Sequence, residues 1–257
     1  MADDRDIPAV EHEVLANPPL KAMLGQVRFP PVLRIADIGS LVPFQEAIRH
    51  DFPTFREEQQ LSLVMGAQGP QTPQLQKAYR FVTAGHGWSI LLTPDAVTLE
   101  ADVTAGYTSY DEFVQRFRLV WQAILSRFEP AQISRQGLRY VDHIEGDRAA
   151  PDWATLINPE LLGPLVERFG DTITQSASEL RLNRGDGVLV FKHGMLPLGP
   201  GGMAGYLLDF DYFTEEPDDD TSLEAVMSRF DRYHQFLYSM FRWCVTSDAL
   251  EVFRGAR

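Results

Sequence analysis

Cysteine occurs once in the 257 residues, as Cys244. A lone thiol allows no disulfide within the chain and no cysteine-based zinc site, and it fits a reducing compartment. Positive charge is scarce as well: 23 Lys and Arg stand against 36 Asp and Glu, a formal charge of −13 at pH 7. Nucleic-acid affinity rests on cations neutralising phosphates, so direct nucleic-acid binding is disfavoured and a basic or protein partner is favoured. Long apolar runs are missing too, and nothing approaches the ~18 residues of a membrane helix. The opening MADDRDIPAVEHEV is acidic where a signal peptide carries positive charge. These absences predict a cytoplasmic protein without membrane attachment, and no motif asks for a cofactor.

What is present is ordinary globular material, 44% hydrophobic and 23% charged, enough to bury a substantial core. Residues 1–20, rich in Asp, Glu and Pro, read as a flexible arm. Beyond them a strand fits Gly25–Ile35, bent at Pro30-Pro31, and a short helix fits Val42–Asp51 with Ser40 as N-cap. Strands follow at Gln59–Met65, Ala78–Ala84, Trp88–Thr93 and Val97–Val103. In the last, Val97, Leu99, Ala101 and Val103 alternate with Thr98, Glu100 and Asp102, so one face is buried and the other polar. Tyr110, Phe113, Phe117, Val120, Trp121, Ile124 and Phe128 recur at three- and four-residue steps and predict a long helix over Ser109–Phe128.

The same order then returns: a strand over Gln132–Glu145, an interrupted helix over Trp153–Phe169, strands at Thr172–Leu182, Val188–Leu196 and Gly205–Phe213, and a long helix over Ser222–Thr246. A final strand fits Ala249–Arg254, and the glycine-rich Gly199–Gly202 reads as a hairpin turn. Thr108-Ser109-Tyr110-Asp111-Glu112 lies against Thr221-Ser222-Leu223-Glu224, Glu100-Ala101-Asp102 against Asp209-Phe210-Asp211, and Val27-Arg28-Phe29 against Leu138-Arg139-Tyr140. The expectation is an α+β chain of two tandem β-α-β(3-4)-α repeats, 21–131 and 132–257, each an antiparallel sheet packed by a long helix. In topology this is similar to the duplicated TATA-binding proteins and the helix-grip folds, an analogy that carries no function.

Asn17-Pro18-Pro19-Leu20 with Val27-Arg28-Phe29-Pro30-Pro31, Phe44-Gln45-Glu46-Ala47-Ile48-Arg49 ahead of Phe52-Pro53, and Gly137-Leu138-Arg139-Tyr140 together resemble a sporadically distributed family of prokaryotic proteins of about this length. The resemblance spans nearly the whole chain and implies a bacterial or archaeal source. The family's scattered occurrence resembles that of mobile or defence-associated genes. It brings no catalytic residues with it.

Candidate chemistry centres on two acid pairs. Glu100, Asp102, Asp209 and Asp211 point away from their helices, where four carboxylates could hold a hard cation or meet a basic partner. The plainer alternative pairs them with Arg28 and Arg139 on the opening strands. His86 and His193 sit near glycines at turns, and His143 lies near Asp142 and Glu145, without metal-ligand spacing. Arg229 and His234 have the Arg-x4-His spacing of HEPN ribonucleases, but five residues on a helix set them about 140° apart. The sequence therefore predicts a non-enzymatic binding or regulatory module for a protein partner, such as a toxin-neutralising or defence-complex subunit. Self-association through an exposed sheet edge stays open. Two other classes stand beside it: a metal-dependent hydrolase or nuclease using the carboxylates, and a helix-grip-like small-molecule binder with a cavity beneath Trp121 or Trp243.

Overall fold

Alternation in the strands and three- to four-residue spacing in the helices set the local structure. The computed structural model describes residues 7–62, 65–66, 69–70, 74–107, 109–145, 152–169, 172–184, 186–197 and 204–255. Strand β1 (Leu20–Arg28) stops before Pro30-Pro31, which cannot donate to a ladder. Two short 3-10 turns, Leu33–Ala36 and Ile38–Leu41, replace the strand expected there. Asp37 caps the second turn, accepting from the Gly39 and Ser40 amides at 3.3 and 3.1 Å, so Ser40 belongs to that turn and does not cap the next helix.

After α1 (Val42–Ile48) come β2 (Thr54–Ser62), the two-residue ribbon β3 (Met65–Gly66) and β4 (Gly69–Pro70), then β5 (Gln74–Val82), β6 (Trp88–Thr93) and β7 (Ala96–Asp102). Helix α2 (Tyr110–Phe128) begins where the Ser109 hydroxyl accepts the Glu112 amide at 3.3 Å. Beyond it lie β8 (Arg135–Glu145), α3 (Pro159–Phe169), β9 (Ser178–Arg184), β10 (Gly187–Leu196), β11 (Gly205–Thr214) and α4 (Leu223–Cys244). Gly163, at φ 66°, interrupts α3. The strand expected at the end is instead α5 (Ser247–Phe253). Thr246 Oγ1 caps it by accepting the Ala249 amide at 3.1 Å, and Ala249, Leu250 and Phe253 are buried at helical spacing. The turn expected at Gly199–Gly202 lies outside the described residues.

Two tandem repeats with separate sheets are not what forms. Among the described residues nine strands make one sheet in the order β2-β5-β6-β7-β1-β8-β11-β10-β9, apart from the small β3-β4 ribbon. Strands β1 and β8, expected to open two independent repeats, are neighbours in that sheet. Their pairing satisfies backbone groups that separate sheets would leave as edges.

By internal contacts the chain divides into two units, Leu24–Gly137 with Glu215–Ser228, and Met1–Met23 with Leu138–Thr214 and Arg229–Arg257. In the first, α2 buries Phe113, Phe117, Val120, Trp121 and Ile124. Phe44 meets Phe81 at 5.4 Å and Phe128 at 5.8 Å between ring centres, and Trp121 Nε1 donates to the Thr221 carbonyl at 3.0 Å. In the second, Phe230, Tyr233, Leu237 and Phe241 of α4 are buried, Tyr233 meeting Tyr212 edge-on at 4.9 Å.

The described part of the arm read as flexible is fastened down. The Val10 amide donates to Ser239 Oγ, the Glu13 amide to the Tyr238 hydroxyl, and the Arg254 guanidinium to both Glu13 oxygens at 2.7 and 2.8 Å. One of its acids, Glu13, holds an arginine more than two hundred residues away, which composition alone could not show. Among the described residues no helix is long and apolar enough to cross a membrane.

Candidate ligand pocket

The acid pairs are already engaged. Val97, Leu99 and Ala101 of β7 are buried, and on the opposite face Glu100 accepts Arg80 Nη1 and, at 3.0 Å, the Ser89 hydroxyl. Arg80 also reaches Glu58 at 2.9 Å. Asp102 turns back to accept the Thr104 amide and hydroxyl at 2.9 and 2.6 Å, capping a 3-10 turn. In the other unit, buried Asp209 takes both Nε and Nη2 of Arg139 at 2.7 Å each, a bidentate pair that holds the guanidinium in its charged form. The charge of Asp211 also acts on Arg139.

The expected partnership of Arg139 with an acid therefore forms, with Asp209. Arg28 goes elsewhere, to Asp95 at 2.6 Å. Burial would raise the Asp95 pKa, but hydrogen bonds from Arg28, Gln76 and Thr93 outweigh it and hold the carboxylate below its usual range. Glu100 and Asp102 belong to one unit and Asp209 and Asp211 to the other. Among the described residues no three His, Cys, Asp or Glu side chains gather as a metal site.

The histidines differ in setting. His86 lies exposed in a turn at φ 59°. His143 has its pKa lowered, first by burial and then by Lys21. His234 shares a hydrogen bond of 2.7 Å between its Nδ1 and the Tyr140 hydroxyl. Burial, and then His12 with its ring centre 4.7 Å away, lowers its pKa to about 3, so it stays neutral at pH 7. That setting is structural and gives the ribonuclease-like spacing no support.

His193 is placed differently. Leu189, Phe191, His193 and Met195 alternate along β10 and all point inward, as do Tyr206, Leu208, Phe210 and Tyr212 of β11. His193 Nδ1 lies 2.9 Å from the Tyr206 hydroxyl, and Trp153 sits against the Tyr206 ring at 5.6 Å. Burial lowers the His193 pKa and raises that of Tyr206, so both are neutral at pH 7. Beside the pair opens a cavity of about 340 Å³, walled by Leu161, Leu162 and Phe169 of α3, by Ile173, Gln175, Ser176 and Ser178, and by Gly194 and Met195. None of the described wall residues carries a formal charge.

One glycine lets this wall form. The Ser176 amide donates to the Met195 carbonyl at 3.0 Å, and the Met195 amide to Ser176 Oγ at 3.3 Å. That brings the segment so close to β10 that a Cβ on Gly194 would lie 2.0 Å from the Ser176 carbonyl oxygen. Gly194 also has φ 153°, which side chains with a Cβ rarely adopt.

The cavity lies between α3 and the β10–β11 pair, not beneath Trp121 or Trp243 as a helix-grip pocket was expected to lie. In the sequence, His193 falls within the strand expected at Val188–Leu196 but, with a glycine beside it, reads as lying near a turn. The alternation through Leu189, Phe191 and Met195 is the signal that could have turned it inward. Compared with known proteins, the chain matches no family model and no curated relative.

Proposed function

We propose that the protein is a small-molecule-binding module whose ligand occupies the cavity between α3 and the β10–β11 pair. One observation carries this reading: a buried, uncharged His193–Tyr206 hydrogen bond at the edge of a chamber of about 340 Å³ walled by apolar and neutral polar side chains. That size is at the small end of ligand sites, which combine apolar walls with placed polar groups. When the Tyr206 hydroxyl donates to Nδ1, the imidazole proton sits on Nε2 and adds an N–H donor beside the cavity. None of the described wall residues is charged, and Gln175, Ser176 and Ser178 add polar groups to His193 and Tyr206, so the fitting ligand is neutral, with an apolar body and polar atoms that include an acceptor such as a carbonyl oxygen.

A protein partner met through Glu100, Asp102, Asp209 and Asp211 is the weaker proposal, because Arg80 and Arg139 already neutralise Glu100 and Asp209. Metal-dependent hydrolysis by the same acids is weaker for the same reason. A cytoplasmic setting fits the single buried thiol of Cys244.

The neutral naphthyl ketone prodan tests the reading by fluorescence titration. Saturable, one-to-one binding with blue-shifted emission is expected. Leu162→Trp, at a half-buried wall position, should fill the chamber and abolish it. His193→Phe keeps an apolar ring and loses the donor, which should weaken binding about tenfold. Binding that ignores both substitutions, or none at all, removes the proposal.

A further inference from the structure

Among the described residues strand β9 ends the sheet with no neighbour on its outer side, and every residue from Ser178 to Asn183 is exposed. Its register with β10 sets Leu180 opposite Phe191 and Leu182 opposite Leu189, both of which are buried. Leu180 and Leu182 therefore continue the core face, yet they are 44% and 42% exposed. Edge strands usually carry a device against further pairing, such as a proline, a bulge or a repelling charge. β9 has no proline, and its register runs from Gly187–Arg184 to His193–Ser178 without a bulge.

Its charges favour a copy of itself. In antiparallel pairing of two β9 strands about a twofold axis at Leu180, Leu180 faces Leu180 and each Glu179 faces the other copy's Arg181. Opposite charges directly across a pair stabilise it, and like charges destabilise it. A twofold axis at Arg181 would set arginine against arginine. The other edge of the sheet, β2, matches less well: a register centred on Glu57 sets Arg56 against Glu58 but also Glu57 against its own copy, and one centred on Gln59 gives no opposite-charge pair. Long-range repulsion is also least at β9, because Ser178–Arg184 holds one acid and two arginines in a chain of net charge −13.

We infer that β9 is a homodimerisation edge, with two copies joined antiparallel across Leu180 in an isologous, twofold interface. The inference is independent of any ligand in the cavity. Sedimentation equilibrium on the full chain, from micromolar to sub-millimolar concentration, reads the association directly. A monomer–dimer equilibrium is expected. Glu179→Arg and Arg181→Glu should each weaken it by at least about tenfold, and the double reversal Glu179→Arg/Arg181→Glu should recover it. Within one copy Glu179 pairs with Lys192 at 3.2 Å and Arg181 lies over the Phe213 ring, exposed contacts of small worth, so melting of the monomer should shift only slightly, which separates loss of association from loss of fold. A chain monomeric at every concentration, a dimer indifferent to the single reversals, or a double variant that fails to recover overturns the inference.

Discussion

Asp142→Asn makes this protein more stable, by an amount that grows as the pH is raised. Asp142 lies on the inward face of β8 with Gln136, Leu138, Tyr140 and Ile144 and is 5% exposed. Burial first, and then the neighbouring Asp209 carboxylate, pushes its pKa up from 3.8 to about 8. The sign follows from linkage. Below about pH 4 the carboxyl is protonated in both folded and unfolded chains, and burial costs no ionisation energy. Between pH 4 and 8 the unfolded chain ionises while the folded one keeps its proton, so stability falls by about 1.4 kcal/mol per pH unit and levels off near pH 8. Asparagine has no proton to lose and escapes the whole decline. The variant should match the parent near pH 4 and exceed it by about 5 kcal/mol at pH 8. For a chain of this length that is a rise in Tm of roughly 10 °C. Thermal melts of both proteins from pH 4 to pH 9 check this, and a constant offset across the range would refute it.

The second large effect is a loss. Gly194→Ala places a methyl group 2.0 Å from the Ser176 carbonyl oxygen, 2.8 Å from its carbon and 2.9 Å from Ala177 Cα, at a φ of 153°. All three contacts are backbone, so no side-chain rotation relieves them. Either β10 or the segment through Ser176 must move, which breaks the paired hydrogen bonds between Ser176 and Met195. Strain of this kind, with two hydrogen bonds lost, should cost about 3–5 kcal/mol. Because Ser176 and Met195 both wall the cavity, prodan binding should disappear even at temperatures where the variant remains folded. Chemical denaturation measures the first effect and probe titration the second. A variant that melts and binds like the parent would show that the segment is not held as described.

Legibility in the sequence followed the range of the interaction. β7 was readable because Val97, Leu99 and Ala101 alternate with polar residues, and α2 because its aromatic stripe keeps helical spacing. The adjacency of β1 and β8 was not, since which strands meet in a sheet is decided by residues a hundred positions apart. α5 was misread as a strand because seven residues are too few to separate the two periodicities, and the Thr246 cap that decides it is a three-dimensional fact. Among the charged candidates, Arg139 and Asp209 were proposed and do meet. Arg80 was missed because its reach to both Glu58 and Glu100 depends on the registers of β2, β5, β6 and β7. The cavity was the least legible feature. Its walls come from Leu161 and Leu162 after the α3 start, from the segment near Ser176, and from two strands, and no local pattern joins them.

The imidazole of His193 is where the ligand-binding account is most directly exposed to measurement. Nitrogen-15 NMR of the ring, followed through a pH titration and a prodan titration, reports its tautomer, its charge and its contact with ligand together. The expected result is a neutral ring protonated at Nε2 throughout the range near pH 7, titrating below 6.5, with the Nε2 resonance moving as one equivalent of probe is added. A ring that titrates like free imidazole and is unmoved by probe would contradict the account.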